Sequence, residues 1–131
     1  MVEHRIRILV VDDHELVRKS IMAMLSREPD MEVVGTAVNG QEAVQLAQTT
    51  SPDVIVMDVS LPILDGIRAA GKIRDLNIAV TIIMLSMHYN STLVQQARKN
   101  GAAAYIIKEQ ANRNLIPAIR AANNGTLSEN E

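Results

Sequence analysis

Five short apolar runs, each followed by a segment with helical spacing, constrain this chain more than any other feature. The runs are Ile6–Val11, Glu32–Val38, Val54–Met57, Val80–Leu85 and Ala103–Ile107. They are rich in branched residues and mostly do not alternate apolar with polar, which predicts strands covered on both faces of a parallel sheet. Between and after them, apolar residues recur at intervals of three and four. The stripes are Leu16, Val17, Ile21, Met24 and Leu25; Ala43, Val44 and Ala47; Ile67, Ala70 and Ile73; Leu93, Val94 and Ala97; and Leu115, Ile116, Ile119 and Ala122. Such spacing marks one face of a helix. The strict alternation of strand and helix predicts a doubly wound α/β sandwich with right-handed crossovers. Pro117 falls inside the last stripe. A proline fits the first helical turn, where amides lack partners anyway, so Asn114 is the expected N-cap and regular helix is expected to begin near Asn112–Asn114.

At 131 residues with 47% apolar content, the chain fits one domain with one core. It has no Phe or Trp and only two Tyr, so that core must come from Ile, Leu, Val, Met and Ala, with the methionines as filling. The net charge of −2 offers no basic footprint for nucleic acid or an anionic membrane. No run approaches the roughly 18 apolar residues of a membrane-spanning helix. The absence of cysteine excludes disulfides, thiolate metal sites and a cysteine nucleophile, and it fits a reducing cytoplasm, the expected location. After Ala122 the sequence reads NNGTLSENE, a glycine stop followed by mostly polar residues. The expected division is a domain over 1–124 and, over 125–131, a polar tail or the start of a linker.

The polar residues that stand out share one position. Asp12 and Asp13 follow the first strand, Asp58 ends the third, Ser86 ends the fourth and Lys108 ends the fifth. Open α/β sheets bind ligands outside the carboxyl ends of their strands, and all these residues land on that edge. Three clustered carboxylates repel one another, and a hard divalent cation relieves the conflict, with Mg²⁺ the usual choice beside phosphates. Mg²⁺ and Lys108 would return about +3 against about −3 from the acids. A carboxylate can act as nucleophile to give an aspartyl phosphate, a reaction that needs mainly positioning and charge stabilisation. Asp58 is the candidate acceptor, and Ser86 could donate to a phosphoryl oxygen. Asp65-Gly66 is read as a turn or helix cap. His14, beside the acidic pair, is read as an exposed residue opening a helix rather than a ligand, and His4 as a solvated terminal residue. His88 is near enough to influence the site without being a ligand.

These residues resemble a known family. VVDDHE (Val10–Glu15), MDVSLPILDG (Met57–Gly66), MLS (Met84–Ser86) and YIIK (Tyr105–Lys108) match the response regulator receiver pattern in order and spacing, over about residues 5–123. VVDDHELVR and AIRAANNG (Ala118–Gly125) look most like the NarL/LuxR type. The resemblance implies a flavodoxin-like (βα)5 fold with a five-stranded parallel sheet in the order 2-1-3-4-5. It also implies Asp58 as phosphoacceptor, and Asp12, Asp13, Asp58 and the backbone carbonyl of Ser60 as Mg²⁺ ligands. Lys108 then contacts the phosphoryl group, Ser86 is the switch hydroxyl and Tyr105 its aromatic follower. Pro62 and Gly66 shape the loop after the acceptor. Two departures stand out. Glu109 follows Lys108 where many receivers have proline, often after a cis bond, and a non-proline cis bond costs roughly 2.5–4 kcal/mol. Leu61 replaces the commoner Met before Pro62.

The expected function is a two-component signalling switch that is not an enzyme and loses its phosphoryl group slowly. Expected partners are a sensor histidine kinase, a small phosphodonor in its place, and a second copy of the chain on phosphorylation. DNA binding is expected through a C-terminal helix-turn-helix domain absent from this sequence. A phosphatase of the haloacid-dehalogenase kind would usually carry a second Asp two residues after its nucleophile, where Ser60 stands, and would bring a cap domain. An interaction module indifferent to phosphorylation would leave the complete site without a purpose.

Overall fold

A computed structural model of the chain describes residues 4–125. The order is β1 (Ile6–Val11), α1 (Glu15–Ser26), β2 (Met31–Ala37), α2 (Gly40–Thr50), β3 (Val54–Asp58), α3 (Gly66–Asp75), β4 (Thr81–Ser86), α4 (Ser91–Lys99), β5 (Ala102–Ile107), a single 3₁₀ turn (Lys108–Gln110) and α5 (Ala111–Asn123). The five strands form one parallel sheet in the order β2-β1-β3-β4-β5, as the alternation and the resemblance predict. The strand order reverses at β1, so β1 and β3 flank the crevice where such sheets bind ligands.

Period two in the strands divides the core. Leu9, Val11, Ile55 and Met57 face α2, α3 and α4, whose Ala43, Ala47, Ile67, Ala70, Ile73 and Ala97 are buried against them. Ile8, Val10, Val54 and Val56 face α1 and α5, meeting Ile21, Leu25, Leu115 and Ile119. β1, β3 and β4 are buried along nearly their whole length, whereas β2 and β5 are not. β5 alternates buried and half-buried residues because it lies at a sheet edge, where cover is complete on one face only. Two side chains depart from expectation. Leu16 is turned away from the stripe of α1, and Met87 lies exposed after β4 rather than filling the core.

The last helix begins earlier than expected. Asn114 is not its N-cap; α5 starts at Ala111, directly after the 3₁₀ turn. Burial of Ala111, Leu115 and Ile119 on one face decides this start, and tertiary packing overrides the local proline signal. Pro117 therefore sits mid-helix with its ring exposed, and it cannot donate to the carbonyl of Arg113. Pro117→Ala is expected to raise stability by about 1–2 kcal/mol, less than the full helix-interior penalty because proline also restricts the unfolded chain. The urea midpoint, measured at unchanged slope, checks this. At the same helix, the Arg120 guanidinium bonds Glu28 and Asp30 across the α1–β2 turn, with Nε 3.0 Å from Asp30 Oδ2. Hydrogen bonding to Arg120 holds the Asp30 carboxyl below its usual value. The described residues contain no cis peptide bond, so Lys108–Glu109 is trans. The tail over 126–131 lies outside the described residues, and no described helix is long and apolar enough to cross a membrane.

Candidate functional site

The carboxyl ends of β1, β3, β4 and β5 bring the predicted residues together. The Asp12 amide donates to the Ala37 carbonyl, extending the β1–β2 ladder by one residue and fixing where the acid points. Its side chain is fully buried, and Oδ1 accepts from the His14 amide at 2.9 Å. Asp13 is next to it and partly exposed. Asp58 is the last residue of β3 and is 2% exposed. The strand pairing carries on past it, since the Val59 amide donates to the Leu85 carbonyl at 2.9 Å. Asp58 Oδ1 accepts from the Ser60 amide at 3.1 Å.

Lys108 ties the acids together. Its Nζ lies 2.9 Å from Asp58 Oδ2 and 2.9 Å from Asp12 Oδ2. The bond to Asp58 is well formed, whereas Asp12 Oδ2 gains the charge of Lys108 without an aligned donor. Burial pushes the Asp58 carboxyl up from its ordinary value, against the pull of Lys108 and the Ser60 amide, and the Asp12 charge pushes the same way. Burial also opposes the Lys108 ammonium, but the hydrogen bond to Asp58 and the nearby negative charges of Asp58 and Asp12 outweigh it and hold the lysine above its usual value. The pocket thus pairs a firmly protonated cation with a desolvated carboxylate.

One oxygen or nitrogen from each of Asp12, Asp13, His14 and Asp58 lies within 4.8 Å of the others. That spread suits a single cation, and the undersatisfied Asp12 Oδ2 is the kind of buried atom a metal would complete. Ser86 and Tyr105 do not bond the acids. The Ser86 hydroxyl donates to the His88 carbonyl at 3.0 Å, and the Tyr105 hydroxyl donates to that same carbonyl at 3.2 Å. The sequence singles out His88, but nothing in it reveals a main-chain oxygen shared by two side chains. Tyr105 and Tyr89 both line a groove between β5 and α5, together with Gln110, Asn114 and Pro117.

The loop after the acceptor is held by two glycines. The Gly66 amide donates to the Val59 carbonyl, and a Cβ at Gly66 would stand 2.1 Å from the Asp58 carbonyl oxygen. A Cβ at Gly40 would stand 2.0 Å from the Leu64 carbonyl oxygen, so α2 closes on the same loop from the other side. Asp65 caps α3 by accepting from the Arg68 amide. Ile63 takes a left-handed backbone at φ 69°, a strained conformation for a β-branched residue.

The response regulator receiver domain family matches residues 8–120. The chain belongs to that family. Among similar proteins, it is 44% identical over 116 residues to the transcriptional regulatory protein PdtaR of Mycobacterium tuberculosis, covering 88% of this chain and 56% of PdtaR. It is 41% identical over 121 residues to LiaR of Bacillus subtilis, covering 92% of this chain and 57% of LiaR. It is 32% identical over 120 residues to the nitrate/nitrite response regulator NarL of Escherichia coli, covering 92% and 56%. The receiver therefore spans about half the length of these relatives, and its homologues LiaR and NarL are regulators of the NarL/LuxR type. The signal receiver domain of a NarL response regulator from Mycobacterium tuberculosis superposes with a TM-score of 0.90 at 30% identity, covering 93% of this chain and 98% of that one. The response regulator domain of Thermotoga maritima CheB gives 0.86 at 35% identity, covering 92% and 98%.

Proposed function

We infer that this receiver is a phosphorylation switch in which Asp58 accepts a phosphoryl group from the phosphohistidine of a sensor kinase, or from a small phosphodonor. The observation that carries this reading is the clamp on Asp58: a nearly buried carboxylate held between Lys108 Nζ and the Ser60 amide, beside Asp12 and Asp13. A carboxylate oxygen of Asp58 would form the new P–O bond. The donor's N–P bond would break, its histidine nitrogen leaving with the bonding pair and taking a proton. Lys108 would meet the charge that builds on the phosphoryl oxygens. A divalent cation, Mg²⁺ in the first instance, would be held by Asp12, Asp13, Asp58 and the Ser60 carbonyl, and would supply neutralising charge and an anchor for a phosphoryl oxygen.

A protein donor is favoured by the surface around the pocket. Of the exposed large apolar residues among those described, Leu16, Val38, Ile63, Met87 and Tyr89 lie in or just after the loops that follow β1 to β4, and only Leu76 lies elsewhere. An apolar rim around a charged pocket suits docking of another protein better than entry of a small anion.

Ser86 would leave the His88 carbonyl to donate to the new phosphoryl oxygen, and Tyr105 would follow, reshaping the face made by α4, β5 and α5. The proposed output is transcription, in keeping with relatives named transcriptional regulatory proteins that are about twice as long. DNA contact would then belong to another part of the full protein, pairing of two receivers would accompany phosphorylation, and the setting would be the cytoplasm.

Incubation with phosphoramidate or acetyl phosphate and Mg²⁺, followed by intact-mass measurement, tests the central claim. One added phosphoryl mass is expected for the wild-type chain. None is expected for Asp58→Ala or after chelation of the metal. An Asp58→Ala chain that still gains this mass would remove Asp58 from the role.

A further inference from the structure

The pocket holds one side chain that the phosphoacceptor reading leaves without a task. His14 is the N-cap of α1, yet its ring makes no capping bond to the helix. It turns back over the acids instead. Nδ1 lies 3.2 Å from Asp12 Oδ1 and 3.5 Å from Asp13 Oδ1. Ligands at about 2.1 Å from an octahedral ion place adjacent donor atoms about 3 Å apart and opposite ones about 4.2 Å apart. The two His14 distances are thus close to those of adjacent ligands, and donor atoms of Asp12, Asp13, His14 and Asp58 all lie within 4.8 Å of one another. Asp12 Oδ2 is fully buried, with the Lys108 ammonium 2.9 Å away as an ion pair and no aligned donor. The ring itself is 63% exposed, so an ion can reach it from solvent.

We propose that His14 Nδ1 is a metal ligand of this pocket, giving it selectivity for a divalent ion of the later first transition row over Mg²⁺. The inference shares Asp12, Asp13 and Asp58 with the proposed phosphoacceptor site and in that respect rests on it. Oxygen donors alone satisfy Mg²⁺, which gains little from an imidazole. Mn²⁺, Co²⁺, Ni²⁺ and Zn²⁺ accept imidazole readily, with affinity rising toward the end of the row. A carboxylate site without His14 already ranks these ions in that order. The contribution of His14 is therefore read as a difference between ions and between variants, and not as tight Ni²⁺ binding alone.

Calorimetric titration of the untagged chain with Ni²⁺ and, separately, with Mg²⁺ makes that comparison. The variants are His14→Ala and His14→Ser, the second keeping a good N-cap so that loss of helix stability is not mistaken for loss of a ligand. Both are expected to lose roughly tenfold or more in Ni²⁺ affinity while Mg²⁺ affinity stays within about twofold. Unchanged Ni²⁺ affinity in both variants, with Mg²⁺ binding and mass gain intact, overturns the inference and leaves the phosphoacceptor reading standing. An equal loss of both ions also overturns it, since His14 would then shape the acids rather than select the metal. A wild-type chain that binds neither ion and gains no phosphoryl mass removes the phosphoacceptor reading and this inference together.

Discussion

Gly66→Ala is expected to lower folding stability by about 3 kcal/mol and to remove most of the phosphoryl uptake. The new Cβ would stand 2.1 Å from the Asp58 carbonyl oxygen and 2.9 Å from Met84 Cε. Met84 can rotate away, but the carbonyl cannot, because it belongs to the acceptor's own strand at the centre of the sheet. Relief must come from moving the start of α3 or the end of β3, and overpacking of this kind costs about 1–3 kcal/mol or more. Either movement disturbs Asp58. Urea unfolding measures the first effect and intact mass the second. Gly35→Ala is the comparator, since its Cβ would meet nothing closer than 3.4 Å. A Gly66→Ala chain as stable as Gly35→Ala would show that the loop yields where the geometry says it cannot.

Lys108→Met is expected to destabilise the metal-free chain by roughly 3 kcal/mol, with a divalent cation restoring much of the loss. Lys108 Nζ is the cation shared by Asp12 and Asp58, both buried. Its removal leaves two desolvated carboxylates facing each other. The sign with pH follows from the carboxyls. Burial already raises Asp58 above its ordinary value, and loss of the ammonium raises it further. A carboxyl raised on folding disfavours the folded state once pH exceeds its unfolded value, and this cost is complete above the folded value. The deficit of the variant should therefore be larger at pH 7 than at pH 4, and larger in chelator than in Mg²⁺. Thermal unfolding at the two pH values, with and without Mg²⁺, checks both. A deficit independent of pH and metal would mean that the stem of Lys108 contributes by packing and not by charge.

How far these effects were readable in the sequence depends on the range of the interaction. The sheet was legible because its strands write their burial directly into runs such as Ile6–Val11, and because chain connectivity then admits few arrangements. The acids, Ser86 and Lys108 were legible because each stands at the end of such a run. Features set by tertiary contact were not. Pro117 argued for a helix starting near Asn114, while burial of Ala111 and Leu115 moved that start to Ala111. Leu16 fits a helical stripe by count, yet the face of α1 that packs is set by Val17, Ile21 and Leu25. The ring of His14 could lie on either side of the helix start, and only the folded loop places it over the acids. The common acceptor of Ser86 and Tyr105 is a main-chain oxygen, to which no residue type points.

The groove between β5 and α5 makes the protein its own optical gauge. The chain has no Trp and only two Tyr, and both tyrosines line that groove. Near-ultraviolet circular dichroism and intrinsic emission therefore come almost wholly from one surface. A small molecule with chromophores scattered through its core would average a local rearrangement away. Here the core is spectrally silent, and a change in the tyrosine signal reads the face beside Tyr105 without an introduced label.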